Sequence, residues 1–94
     1  MLVCGPQLRA GRAAAGITRA ALADEAGVGV TTVQRLEGTR GPLRVTRLTR
    51  ESLEKALARH GVRFVEHDGR PGLCMLRDIP PRRGAYIPPP RRGA

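Results

Sequence analysis

The chain has 94 residues and a formal net charge of +9, with 17 basic side chains against 8 acidic ones, a size that suits one small domain and excludes a multidomain enzyme. Hydrophobic residues make up 40% of it, yet there is one Phe, one Tyr and no Trp, so the core must be thin. Sixteen of the 17 bases are Arg, and a basic excess of this size makes polyanions the expected partners.

The excess is shared between two regions. Residues 1–76 carry twelve bases and seven acids, and residues 77–94 carry five bases and one acid. Cys4 and Cys74 have no His or Cys at zinc-ligand spacing and cannot form a disulfide framework, so neither a metal nor a cofactor is expected. The N-terminus lacks the apolar run of a signal peptide, and no window approaches the roughly 20 apolar residues of a membrane span. A cytoplasmic protein without a membrane partner is the expectation. His60 and His67 read as surface histidines with no nucleophile beside them, and no enzyme activity is expected.

In chain order, Gly5-Pro6 opens a helix predicted over residues 6–15, with Leu8, Gly11 and Ala15 on one face and Gly16 as its stop. Thr18 offers a cap to a second helix over 19–26, whose inward residues are Leu22, Ala23 and Ala26. Gly27 ends it. After Val28-Gly29, a third helix over 30–37 carries Val33 and Leu36 inward and stops at Gly38. Residues 38–44 read as a loop holding Arg40 and Arg44. Thr49 reads as the cap of a fourth helix over 50–60, with Leu53, Ala56 and Leu57 inward. Residues 62–66 and 73–76 are strand-like runs around a turn-rich segment at 67–72, so a hairpin is predicted, packed on the helices or set in a dimer interface. The Pro- and Arg-rich residues 77–94 read as a disordered tail.

ITRAALADEAGVGVTTVQRLE, residues 17–37, has the spacing of a helix-turn-helix. Ala23 is small where two helices cross, Gly27 is expected to relieve a Cβ clash in the turn, and Val28, Val33 and Leu36 anchor the second helix so that its other face protrudes. Such a helix fits a DNA major groove about 12 Å wide.

With QLRAGRAAAG at 7–16, SLEKALARHGVRF at 52–64 and GRPGLCML at 69–76, the chain resembles the Xre/Cro-like helix-turn-helix family of bacterial and phage regulators, over roughly residues 7–76. The resemblance implies a mainly α, compact, lambda-repressor-like domain of four or five helices over residues 1–61, followed by a short C-terminal β-hairpin over 62–76. It implies sequence-specific binding to double-stranded DNA by a small transcriptional regulator, most simply a repressor. Val30, Thr31, Thr32 and Arg35 match base-reading positions, with Arg35 placed for a guanine edge. Thr18, Arg19, Gln34, Arg40 and Arg44 match phosphate-contacting positions. Arg19 stands where Gln is usual, which favours a charge contact, and Val30 stands where a polar residue is usual and can meet a thymine methyl. Gly29 replaces a common Ser or Thr cap. Arg12 and Glu37 match a pair that ties the first helix to the end of the third.

The small core and the hairpin point to a homodimer, which on DNA would meet half-sites about 34 Å apart. The alternative is a protein-interaction module, such as an antitoxin-like subunit, binding a partner protein through the helices or the hairpin edge.

Overall fold

The computed structural model describes residues 1–76, so the tail expected over 77–94 lies outside the described residues. Four helices and one antiparallel hairpin follow in the order α1 (Gly5–Ala15), α2 (Arg19–Ala26), α3 (Val30–Glu37), α4 (Arg47–Ala58), β1 (Val62–His67) and β2 (Arg70–Met75). Each helix start has a local cause. Pro6 occupies the first turn of α1, where its missing N–H costs nothing. Thr18 caps α2 by accepting the Ala21 N–H at 3.0 Å. Gly29 caps α3 without a side chain, its carbonyl accepting from Val33 N–H at 3.2 Å.

Gly27 joins α2 to α3 in the left-handed conformation (φ 70°), with its N–H returned to the carbonyls of Ala23 and Asp24. A Cβ at this position would meet nothing within 4 Å. The expected steric reason for glycine is therefore corrected: the turn requires the backbone angle, not the space.

The fourth helix departs from the expected bounds of 50–60. It begins three residues earlier, capped by Thr46, whose Oγ1 accepts the Thr49 N–H at 3.2 Å, and it ends at Ala58. Both threonines are competent caps, and the one that precedes Arg47 and Leu48 gives the longer helix. Leu53, Ala56 and Leu57 are buried as expected.

The hairpin turn is also tighter than the predicted 67–72. Strand pairing runs from Val62 opposite Met75 to His67 opposite Arg70, leaving Asp68 and Gly69 as the two turn residues. Both have positive φ, 51° and 75°, the backbone that a type I′ turn demands. Pro71 pairs with Glu66 inside the ladder, which an edge strand tolerates. Along β1, Val62 and Phe64 face inward and Arg63 outward.

The core joins Leu8 of α1, Leu22 and Ala23 of α2, Val33 and Leu36 of α3, Leu53, Ala56 and Leu57 of α4, and Val62 and Phe64 of β1. The hairpin packs on α1 and α4, and α2 packs on α3 and α4. Gly11 makes the first of these contacts possible, because a Cβ there would stand 2.8 Å from Cζ of Phe64 and 3.3 Å from Cδ1 of Leu57. The unusually small stripe of α1 is thus the seat of the largest ring in the core.

Two core residues come from segments without regular structure. Leu2 is fully buried, and Leu43 nearly so. The N-terminal segment runs beside the α3–α4 loop, with Leu43 N–H donating to the Val3 carbonyl at 2.9 Å and Cys4 bridged to Pro42, while Leu2 N–H donates to Glu54 Oε1 of α4 at 2.6 Å. Gln7, buried in α1, secures this segment from below. Its Oε1 accepts the Val3 N–H at 2.7 Å, and its Nε2 donates to the carbonyls of Gly72 at 2.9 Å and Met1 at 3.3 Å. No helix among the described residues is long and apolar enough to cross a membrane.

Candidate nucleic-acid interface

The geometry of α3 is decided by its two apolar anchors. Val33 and Leu36 are buried against α1 and α2, so the 3.6-residue period turns Val30, Thr31, Gln34 and Arg35 outward, with Thr32 half-buried beside them. Val30 is 47% exposed. The outward face therefore offers a methyl surface, hydroxyls, a carboxamide and a guanidinium.

Arg35 does not stand alone. It lines a cleft with Thr32 of α3, Arg44, Val45 and Thr46 of the following loop, and Thr49 of α4. Two cations and three hydroxyls share this cleft, and no carboxylate is among its lining residues. The nearby acid of α4, Glu51, is occupied by Arg47 at 2.9 Å.

Arg40 is placed differently from Arg44 although both lie in one loop. It lines a separate depression with Arg9, Pro6, Ala10 and Ala13 of α1 and with Glu37, Gly38 and Thr39. The loop thus carries its two cations to two separate depressions, Arg44 beside α3 and α4 and Arg40 beside α1. Arg9 is a cation that the sequence reading left out of the candidate site. It lies three residues after Pro6 on α1, and its approach to Arg40 depends on how α1 crosses α3.

Beneath these surfaces lies one buried acid. Glu37 receives Arg12 in a two-pronged contact, Nε to Oε2 at 2.7 Å and Nη2 to Oε1 at 3.1 Å, and Arg12 Nη1 also donates to the Ile17 carbonyl at 3.1 Å. The expected Arg12–Glu37 tie is present. The hydrogen bond to Glu37 raises the Arg12 pKa above its ordinary value, against the opposing effect of burial and with the carboxylate's charge adding to the rise. Arg19 is brought to the same carboxylate, its Nε donating to Oε1 at 3.2 Å. Thr18 stands next to it, exposed, with its hydroxyl oxygen engaged by the helix cap.

The remaining candidates for chemistry are placed plainly. His60 is half-buried, not fully on the surface, with Nε2 at 2.9 Å from Glu25 Oε1, linking the end of α4 to α2. His67 is exposed and lies 3.4 Å from Asp68 at the hairpin turn. Among the described residues no group of three or more His, Cys, Asp or Glu could hold a metal ion. Toward the C-terminal end of α4, Met1, Ala58, Val62, Phe64 and Leu76 line a mainly apolar hollow together with Glu54, Lys55 and Arg63. No protein-family model matches the chain, and no curated protein matches it.

Proposed function

We propose that this protein binds double-stranded DNA through α3, with α2 and α3 acting as a helix-turn-helix, and that it serves as a small cytoplasmic transcriptional regulator of the repressor kind, working as a homodimer. One observation carries the reading: α3 is anchored by Val33 and Leu36 while Val30, Thr31, Gln34 and Arg35 form an outward face beside a cleft lined by two arginines and no acid. An exposed helix face of this chemistry can enter a major groove, where a guanidinium pairs with guanine O6 and N7 and a methyl meets thymine. Arg44, Arg40 and Thr18 then serve as phosphate contacts that fix the register.

The test is selection from a pool of random duplexes at two salt concentrations. A recovered motif with palindromic halves and retention that falls steeply with salt is the expected result; each neutralised phosphate contributes about −0.9 to the slope of log K against log[salt]. Retention that ignores salt, or none at all, refutes the reading.

A second reading, a protein-interaction module of the antitoxin-like kind, is favoured by the exposure of Met1 and Leu76 beside the apolar hollow. Its partner would survive nuclease treatment of a lysate in a pull-down, whereas a nucleic-acid partner would not.

A further inference from the structure

Arg19 is the more exposed of the two cations that the buried acid Glu37 holds. Its Nε donates to Glu37 Oε1 at 3.2 Å, yet its side chain remains 45% exposed, while that of Glu37 is 2% exposed. The carboxylate does not need this second cation for its charge to be balanced. Arg12 already meets both of its oxygens, at 2.7 and 3.1 Å. The cluster of one acid and two guanidiniums therefore keeps a surplus positive charge, and that charge resides on the more exposed of the two arginines. Among the described residues, neither Nη of Arg19 has a protein partner.

A guanidinium presents its donors as a rigid planar fork, so fixing the Nε edge fixes the direction of the Nη edge as well. Resting on the DNA-binding reading above, we propose that Glu37 is a positioning residue that holds Arg19 as a preset phosphate fork at the first position of α2. The buried acid orients one edge of the guanidinium, and the opposite edge receives a phosphate oxygen of the DNA backbone. Part of the side-chain ordering that an exposed arginine must otherwise undergo on binding is then already made in the free protein. This also gives a physical reason for arginine at this position. A lysine carries the same charge, but its ammonium donors rotate freely and fix no direction between Glu37 and a phosphate.

The experiment compares the full chain with Arg19→Lys and Arg19→Ala, titrated against a mixed-sequence duplex pool over a range of salt, with thermal denaturation of each variant as the control for folding. Arg19→Ala is expected to reduce the magnitude of the salt slope by about 0.9 and to weaken binding at least severalfold at low salt. Arg19→Lys is expected to keep the wild-type slope, because the charge is kept, and still to bind about fivefold more weakly, because the hold is lost. A purely structural contact would shift the melting temperature and leave the slope alone. Lysine binding as tightly as arginine overturns the positioning role, and an unchanged slope in Arg19→Ala overturns the phosphate contact. Wild-type protein that shows no salt-sensitive binding instead removes the DNA reading on which both stand.

Discussion

Arg12 and Glu37, 25 positions apart, close a two-pronged ion pair that ties the last turn of α1 to the last residue of α3, with the acid buried and the guanidinium partly so. A burial of this kind is weak evidence for net stabilisation, because removing both ions from water costs about as much as their attraction returns. Removing one partner is another matter. Glu37→Ala leaves Arg12 desolvated and should cost about 3–5 kcal/mol in chemical denaturation, while the double change Arg12→Met with Glu37→Leu should recover most of that loss. A single-variant cost below about 1 kcal/mol would place the pair with ordinary surface ion pairs. The sign of the pH dependence follows from the raised Arg12 pKa: its contribution is complete below the ordinary guanidinium range and is lost only as pH climbs through the raised value. Stability from this group should therefore be level across neutral pH.

The start of α4 gives a test between two threonines. Thr46 Oγ1 accepts the Thr49 N–H at 3.2 Å, and the same hydroxyl donates to Thr49 Oγ1 at 3.0 Å. Thr46→Ala should cost about 1 kcal/mol, the usual value of a lost cap, and Thr49→Ala only a few tenths. Equal costs would mean that the helix frays back to Thr49 in solution.

The bounds of α2 and α3 were legible because their signals are local: Thr18 before the first turn, then Gly27 and Gly38 at the ends. The fourth helix was not, since Thr46 and Thr49 have the same capping chemistry and only the surrounding fold chooses between them. The hairpin turn was overestimated for a similar reason. Pro71 and Gly72 look like turn formers, but Asp68-Gly69 supplies the two positive φ angles and the ladder continues through Pro71. Leu2 and Leu43 belong to segments with no periodicity, so no sequence spacing encodes their burial. At the candidate site, the outward face of α3 followed from the period of Val33 and Leu36. The separation of Arg40 from Arg44, the approach of Arg9 to Arg40 and the hold of Glu37 on Arg19 depend on helix crossings.

Gln7 is the polar residue that ties the N-terminal segment to the rest of the fold. It is buried, and its one carboxamide serves the N-terminal segment and β2 together, through Val3, Met1 and Gly72. Gln7→Ala strands two donors, the Val3 and Cys4 N–H groups, and two acceptors, the Met1 and Gly72 carbonyls, at a junction between three segments, and a buried unsatisfied polar group costs about 1–3 kcal/mol. The expected result is a loss of about 2–3 kcal/mol in denaturation, with faster hydrogen exchange at the Val3 amide than at the core of α4. Unchanged exchange at Val3 would show that water replaces the side chain at no cost.

On the DNA-binding proposal, the placement of the arginines around α3 would separate readout from grip. Arg35 is on the outward face of α3, and Arg44 shares its cleft from the loop, while Arg40 stands with Arg9 in another depression. On the DNA-binding proposal, Arg35→Ala should flatten preference at one base position by about 1–3 kcal/mol and leave the others unchanged. Arg44→Ala should instead weaken every sequence alike and reduce the salt slope by about 0.9. Arg40→Ala and Arg9→Ala should resemble each other in size, because both would meet backbone on the α1 side of the helix. The measurement is binding of each variant to the selected motif and to its single-base variants at two salt concentrations. If Arg35→Ala lowers affinity for all sequences equally, α3 grips the backbone without reading bases, and the specificity assigned to its outward face is wrong even though the protein binds DNA.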